Sequence, residues 1–383
     1  MERTNGGRRA RLGPLLFSAA LASLLAACSS SGQPGKNASD HATTSSPGST
    51  STSLAPTTTL PALPTSGPLA ISASVAVPIP ANVQITAAEA PDGSVFVAPE
   101  SHNSPTPTVV WVVDGNTPAA IAEHVAGGVS ALAADSANLY VVSDGSVLGY
   151  SRSTGNQMGQ WSLPPINTAN SSNADLVSME ADGGQVLVMI AQGNLENVYR
   201  FDSTSTAAPR LIAQGTSAAF GPNGSVYYER SDDRLVALNT SGVATVGPLL
   251  VHAPNGAGGG VANVDAVAGG LVWVSAPAGQ GLDTQLSPYD ATTLAPMGTF
   301  SGSVTEQIVD TGAGPLVLAG PDGPGVCPQG GAAASSSCVF RLSPTAALTD
   351  PTSVGSAEQL LGPYPAVLSA NSTTNDLVLE RVS

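Results

Sequence analysis

The 383-residue sequence contains few charged and few aromatic side chains, 10% and 4% respectively. Only 12 Lys and Arg stand against 27 Asp and Glu, which gives a formal net charge of −15 at pH 7. A chain with so few basic residues has no basic stripe for a phosphate backbone, and its negative surface repels one. The composition therefore excludes nucleic acid as an expected partner.

The motifs that signal common enzyme and cofactor sites are also missing. The sequence contains no Gly-x-Ser-x-Gly elbow, no His-Glu-x-x-His pair, no phosphate-binding loop and no Asp-rich calcium loop. Its four histidines are far apart and lack metal-ligand spacing; they are His41, His102, His124 and His252. We expect no cofactor and no metal site, and the sequence leaves open whether the protein catalyses any reaction.

An export signal is present at the N-terminus. Four arginines precede an uncharged apolar stretch over residues 14–27, which is the layout of a secretory signal peptide. The stretch is too short to span a bilayer comfortably. Residues 1–27 are therefore predicted to be a signal peptide, with the export route left open.

The signal peptide ends in Leu-Ala-Ala-Cys at residues 25–28. This ending resembles the lipobox of bacterial lipoproteins, which implies that Cys28 becomes the mature N-terminus and carries a diacyl anchor. An ordinary small-residue cleavage site with an incidental cysteine is the alternative. Since two acyl chains suffice for stable attachment, the resemblance predicts a lipid-anchored protein on the extracytoplasmic face of the cell membrane.

Between this cysteine and the rest of the chain lies a segment rich in Ser, Thr and Pro. Residues 28–68 have few large apolar side chains and almost no charge, so they bury too little surface to offset the entropy of ordering. We interpret them as a lipidated cysteine followed by a disordered tether. Residues 69–383 form the folded domain, and from Cys28 onward the net charge is −18, because four Arg and one Glu precede it.

Two cysteines remain in the folded domain, Cys327 and Cys338. An even pair in an exported chain favours a disulfide. A metal site is the weaker alternative, since no histidine or further cysteine lies nearby.

A repeated unit organises the domain, and residues 138–161 show it most clearly. Two short runs of β-forming residues flank Asp144-Gly145, a pair that tolerates positive φ and predicts a two-strand hairpin. The predicted second strand recurs, mostly every 40 to 47 residues, at 95–97, 139–141, 186–188, 226–228, 271–273, 316–318 and 377–379. Four strands per unit at this period indicate a β-propeller. Predicted third strands follow six of the seven copies.

We therefore predict an all-β fold, a β-propeller of seven blades with four short antiparallel strands each, with six or eight blades as alternatives. The last copy is predicted to end after its second strand, and residues 69–77 alternate in polarity like a strand without a partner in its own repeat. This N-terminal strand is predicted to close the ring by pairing with the last blade. Residues 345–363 are predicted to be an insertion in the sixth blade.

The repeats resemble several propeller families. Residues 139–161 look like a quinoprotein-type (PQQ-like) repeat, with Thr154-Gly155 and Trp161 in matching places, whereas residues 91–97 and 221–228 look more like YVTN- and NHL-type repeats. The resemblance implies the fold and no particular activity. Only the second repeat keeps the Thr-Gly and Trp pattern, which argues against a quinone cofactor.

Loop lengths point to one end of such a propeller as the binding face. Connections between second and third strands vary in length, whereas those between first and second strands are short. Variable loops on a rigid scaffold are where function usually resides. The candidate contact residues are His124, His252, Trp111, Trp273 and Tyr364, although the two tryptophans lie inside strands, where packing in the core is the alternative.

The sequence thus predicts a binding or scaffold module in the cell envelope that engages a protein or a glycan. The alternative is a propeller enzyme, a lyase or hydrolase, that acts on an exported small molecule or glycan. The identity of the partner and the oligomeric state are left open.

The lipobox generates a first prediction. Replacing Cys28 with Ser removes the acylated thiol, so the variant is expected to be released into the medium or to accumulate as an unprocessed precursor. Membrane fractionation of cells that express the variant measures this. Unchanged recovery of the variant in the membrane fraction would contradict the lipid anchor.

Overall fold

The computed structural model describes residues 63, 65–101, 106–114, 117–125, 127–165, 176–192, 195–250, 262–277, 284–298, 300–302, 307–311, 313–319, 337–345, 347–371 and 373–383. The predicted signal peptide, Cys28 and nearly all of the predicted tether lie outside these residues. No helix in the described part of the chain is long and apolar enough to cross a membrane.

In this described part of the chain, twenty-eight strands form seven four-stranded antiparallel sheets. The first strand, β1 (Ile71–Pro80), joins the last sheet. In chain order the others are, for blade 1, β2 (Ile85–Glu89), β3 (Val95–Pro99), β4 (Thr108–Asp114) and β5 (Thr117–Val125); for blade 2, β6 (Ala131–Ala134), β7 (Asn138–Ser143), β8 (Ser146–Ser151) and β9 (Gln157–Ser162); for blade 3, β10 (Leu176–Asp182), β11 (Gln185–Gln192), β12 (Leu195–Asp202) and β13 (Arg210–Gly215); for blade 4, β14 (Ser217–Gly221), β15 (Ser225–Glu229), β16 (Arg234–Leu238) and β17 (Ala244–Leu249).

The remaining strands are, for blade 5, β18 (Asn263–Ala268), β19 (Leu271–Pro277), β20 (Thr284–Asp290) and β21 (Phe300–Gly302); for blade 6, β22 (Gln307–Val309), β23 (Leu316–Ala319), β24 (Cys338–Leu342) and β25 (Leu348–Ser353); and for blade 7, β26 (Ser356–Leu361), β27 (Ala366–Asn371) and β28 (Asp376–Val382). The first strands of the blades form the inner wall of the ring, and in six of the seven seams they lie in close contact with one another. The predicted seven-bladed β-propeller is confirmed.

The repeating hairpin forms as the turn residues dictate. Asp144 and Gly145 both have positive φ, 46° and 73°, which is the backbone of a tight turn whose twist matches that of the flanking strands. The strands on either side, β7 and β8, pair in the expected register, with Val142 opposite Val147.

Each blade buries its two faces against its two neighbours. One cluster joins Phe96 of blade 1 to Leu132 of blade 2, and another joins Tyr140 of blade 2 to Val186 of blade 3. Because side chains alternate between the faces of a strand, successive residues of one strand belong to different clusters. No blade has a complete core of its own, and its stability depends on the blades beside it.

The ring is closed by β1, as the sequence predicted. This strand pairs with β28, with Val75 opposite Leu379 and Val77 opposite Leu377. At the chain end, the backbone amides of Ala70 and Ser383 each donate to the other residue's carbonyl oxygen at 2.8 Å. The N-terminal strand is therefore the outermost strand of blade 7.

The expected layout of blade 7 was wrong in one respect. Residues 377–379 belong to β28, the third strand, and the second strand is β27. The predicted insertion at 345–363 contains β25 and β26, so blade 7 lacks only a fourth strand of its own. The sequences of β27 and β28 contain the similar apolar runs AVL and LVL. Because of this similarity, the sequence pattern assigns the turn at residues 371–375 as the first turn of the blade, whereas it is the second.

Ring closure gives a prediction with a matched control in one strand. Val77 is 1% exposed and packs in the cluster between blades 7 and 1, whereas the side chain of Ala76 is exposed on the other face of β1. A buried carboxylate without a partner is costly, so Val77→Asp is expected to lower the free energy of unfolding by about 3 kcal/mol or more. Urea unfolding measures this, and Ala76→Asp should change it by less than about 0.5 kcal/mol. Equal effects of the two variants would contradict the assigned closure.

Candidate functional site

The two ends of the propeller carry different connections between strands. The turns between first and second strands lie at one end, which we call the latched end: residues 90–94, 135–137, 183–184, 222–224, 269–270, 310–315 and 362–365. The connections between second and third strands, and those that lead into the next blade, lie at the other end, which we call the loop end. This division follows from the alternating direction of the strands.

Arginine side chains join neighbouring blades at the latched end. The guanidinium of Arg152 in blade 2 lies 2.6 Å from the carboxylate of Asp92 in blade 1, and it also donates to the carbonyl oxygen of Asp135 at 2.9 Å. In the same way Arg200 of blade 3 donates to the carbonyl oxygen of Gly224 in blade 4 at 2.7 Å. The latched end is therefore cross-linked by hydrogen bonds to charged groups, which are stronger than neutral ones.

The closure between blades 7 and 1 contains the most buried of these contacts. Arg381 of β28 donates to Oε1 of Glu89 in β2 at 2.5 Å and to the carbonyl oxygens of Tyr364, at 2.7 Å, and Gly93. The backbone amide of Tyr364 donates to the other oxygen of Glu89 at 3.0 Å. The Glu89 side chain is fully buried. Burial raises the pKa of Glu89 to about 7, although Arg381 acts in the opposite direction.

The structure places two of the predicted contact residues away from the predicted binding face. Tyr364 lies in the turn between β26 and β27 and so belongs to the latched end, opposite the predicted binding face. Trp273 is fully buried, and its indole N–H donates to the carbonyl oxygen of Ala268 at 3.1 Å. Trp273 is therefore a core residue, because its ring fills the space between blades 5 and 6.

The other predicted residues have different outcomes. His124 lies in β5, the outer strand of blade 1, whereas His252 and Cys327 lie outside the described residues. Cys338 is the first residue of β24 and is 2% exposed. Trp111 lies in β4 and is half-buried, so part of its ring is available for contact.

Trp111 lines a cleft at the closure of the ring, which opens toward the loop end. The cleft has a volume of about 420 Å³, in the range of small ligand sites. One wall is the end of β1, which leads into blade 1, and the other is the connection between β3 and β4 together with the start of β4. Its lining residues are Pro78, Ile79, Pro80, Pro99, Ser101, Thr106, Pro107, Thr108, Val109 and Trp111.

The lining is uncharged, although the chain carries a net charge of −15. Four prolines and the tryptophan ring provide apolar surface, and three Ser and Thr residues provide hydroxyl groups. The Thr108 hydroxyl lies 3.2 Å from that of Ser101 and donates to the carbonyl oxygen of Gly127 at 3.4 Å, which fixes the base of the cleft. Such a surface can bind a neutral segment, but these residues include no carboxylate, imidazole or thiol for acid–base or nucleophilic chemistry.

Metal-assisted chemistry has no obvious centre either. Among the described residues, no group of three or more His, Cys, Asp or Glu side chains is placed to hold a metal ion. The cleft is built by β1 and blade 1.

Sequence reasoning named the loop end and Trp111 as candidates, but it did not name the prolines and hydroxyl residues beside Trp111. A signal was available, since prolines at 78, 80, 99 and 107 lie in the two segments that ring closure brings together. The partnership of Glu89 with Arg381, 292 residues apart, left no local signal at all.

The fold and this cleft define the chain as a seven-bladed β-propeller with a closed ring. No protein-family model and no curated protein sequence matches the chain. Solved structures with similar folds include BamB from Moraxella catarrhalis, with 13% identity, 82% of this chain and 99% of that chain covered and a TM-score of 0.47. The WD40 domain of coronin from Toxoplasma gondii has 11% identity, coverage of 81% and 88%, and a TM-score of 0.48. An oligogalacturonate lyase in complex with manganese has 11% identity, coverage of 76% and 86%, and a TM-score of 0.49.

The contact between Glu89 and Arg381 generates the prediction for this region. Arg381→Met leaves the Glu89 carboxylate buried without its cation, which is expected to cost about 3 to 5 kcal/mol of unfolding free energy at pH 8. The loss should shrink toward pH 5, because the raised pKa of Glu89 means that the folded protein holds this group neutral at low pH. Urea unfolding at the two pH values measures the effect.

Adding Glu89→Gln to the Arg381 variant removes the buried charge and should restore part of the stability at pH 8. Arg210→Met, at an exposed position in β13, is the control. A loss for Arg381→Met that is the same at both pH values would contradict the role given to Glu89.

Proposed function

We propose that this protein is a membrane-anchored extracytoplasmic β-propeller that acts as a binding or scaffold module in the cell envelope. Its loop end engages a protein or a glycan partner, and the cleft beside Trp111 contributes to the contact. The observation that carries the proposal is this uncharged, tryptophan-lined cleft on a rigid ring. The ordinary role of a propeller of this kind is to present loops from a fixed frame.

The asymmetry between the two ends supports the choice of surface. At the latched end, charged side chains of Arg152, Arg200 and Arg381 are engaged in holding neighbouring blades together. These three side chains are therefore committed to contacts between blades. The cleft opens at the other end, where the connections vary in length.

The path of the N-terminal strand supports an orientation on the membrane. Its first residues lie beside Ser383 at the latched end, and Leu63 is buried in the cluster between blades 6 and 7. Roughly 35 residues separate Cys28 from Leu63, which gives a flexible chain a reach on the order of 30 Å. A lipid anchor at Cys28 would attach to the latched end and leave the loop end pointing toward the envelope.

Two further expectations are kept as parts of this proposal. A disulfide between Cys327 and Cys338 would close the connection between β23 and β24 at the loop end, and the burial of Cys338 is compatible with it. Enzymatic activity, the alternative from sequence, is not favoured by the lining of the cleft.

The test is to remove the tryptophan ring and keep the fold. Trp111→Ala is expected to weaken capture of envelope partners by the immobilised folded domain at least tenfold, because the ring is the largest apolar surface of the cleft. Capture from detergent-solubilised envelope, quantified by mass spectrometry, measures a protein partner, and co-sedimentation with purified cell-wall glycan measures a glycan.

Leu211→Ala is the matched control, since Leu211 is 48% exposed on the outer strand of blade 3, away from the cleft. It should leave both kinds of binding unchanged. Equal binding by the Trp111 variant and the wild type in both assays would show that the cleft is not the contact surface.

A further inference from the structure

The inner strands of the seven blades share one position that faces the next blade. In four blades this position holds Ala, and the residue directly opposite on the second strand is aromatic. Directly opposed residues in an antiparallel pair point to the same face, so each aromatic ring covers its small partner and fills the space toward the next blade. The four pairs are Ala88 with Phe96, Ala133 with Tyr140, Ala219 with Tyr227 and Ala266 with Trp273.

Blades 6 and 7 fill the same position differently. They pair Gln307 with Leu318 and Gln359 with Leu368. Each glutamine amide reaches the inner strand of the following blade. Gln307 accepts from the backbone amide of Leu360 at 2.6 Å, and Gln359 donates to the carbonyl oxygen of Ala87 at 3.4 Å. A neutral polar side chain beside a leucine thus replaces the Ala and aromatic pair.

Blade 3 has the same arrangement as blades 6 and 7, a polar side chain opposite a leucine, but its polar residue is a glutamate. Glu180 lies opposite Leu187, and Leu187 packs with Ala218 and Val226 of blade 4, so Glu180 faces the seam between blades 3 and 4. Its Oε2 atom is buried and has no hydrogen-bond partner among the described residues. The same holds for the hydroxyl of Ser178, two residues earlier on the same face.

The charged groups around the seam do not neutralise this carboxyl. Arg200 lies in the same cross-strand row as Glu180, but its guanidinium donates to the carbonyl oxygens of Gly224 and Thr240. The other titratable or charged groups on the faces that meet at the seam are Asp182, Glu196, Asp202, Arg210, Tyr228 and Arg234. Of the seven equivalent positions, only 180 carries an ionisable side chain.

We propose that the seam between blades 3 and 4 is a proton-sensitive joint controlled by Glu180. The neutral acid has nearly the shape of the glutamines in blades 6 and 7, and it carries no charge into the seam. The ionised form places a charge without a partner beside the apolar cluster of Leu187, Ala218 and Val226, which draws water into the seam and loosens blade 4 from blade 3.

The pKa of Glu180 lies in the pH range in which such a joint would respond. Burial raises its pKa from 4.5 to about 7, with a smaller contribution from Asp182. In the unfolded chain, Glu180 ionises near its ordinary pKa of 4.5. The stabilisation of the seam by neutral Glu180 is therefore fully present below about pH 4.5 and is lost as pH rises through about 7. The seam is therefore closed in mildly acidic surroundings and loosened in alkaline ones.

Amide hydrogen exchange of the folded domain tests the proposal, with Glu180→Gln as a permanently neutral mimic measured at each pH. At pH 5.5 the wild type and the variant should exchange equally in β10 and β14. At pH 8 the wild type should exchange at least tenfold faster than the variant in these two strands, and equally in β2 and β26. Because both proteins are compared at one pH, the intrinsic pH dependence of exchange cancels.

Two further variants keep the test decisive. Asp182→Asn changes an exposed carboxylate on the same strand and should still exchange faster than Glu180→Gln at pH 8, because Glu180 itself is retained. The double variant Glu180→Ala with Leu187→Phe reproduces the pair found in blade 1 and should lose the pH response even if the glutamine variant folds poorly. A ratio of exchange rates that is the same at pH 5.5 and pH 8 for both neutral variants would overturn the proposal.

Discussion

The pairing of β1 with β28 is the constraint on which the rest of this structure depends. Every blade buries its faces only against its neighbours, so an open ring would leave two apolar sheet faces in water. The closing strand has to come from the far end of the chain, and Arg381 with Glu89 fixes blade 7 against blade 1 beside it. The cleft exists for the same reason, because its walls are the end of β1 and a connection of blade 1. The same pairing of β1 with blade 7 therefore closes the ring and forms one wall of the candidate binding surface.

The two ends of this closed ring differ in structure. Arginines at the latched end donate to backbone carbonyl oxygens and carboxylates of the adjacent blade, and the turns between first and second strands there are short. The loop end carries no equivalent constraint in the residues that line the cleft, which are uncharged and partly exposed. The ring therefore combines one end that is fixed by hydrogen bonds between blades with another end whose connections vary in length.

The seams between blades show how one geometric position accepts different chemistry. An Ala with an aromatic partner, and a Gln with a Leu, both fill the space between inner strands without leaving a charge. Glu180 in blade 3 keeps the second arrangement but adds a titratable group whose Oε2 atom has no partner among the described residues. Sequence repeats of this type are degenerate because packing tolerates such exchanges, and the exchange that introduces an ionisable group stands out only when the seven positions are superposed.

The sequence by itself determined the local structure. Asp144-Gly145 specifies a hairpin, alternation in residues 71–77 specifies a strand with one buried face, and repetition specifies the propeller with its closing strand. Tertiary structure decided what is not local. It made 377–379 a third strand, placed Tyr364 at the latched end, buried Trp273 and brought Pro78 and Pro107 to one cleft. The physical reason is that turn chemistry and side-chain alternation act within a few residues, whereas burial, ion pairs and clefts arise from segments that only the closed ring brings together.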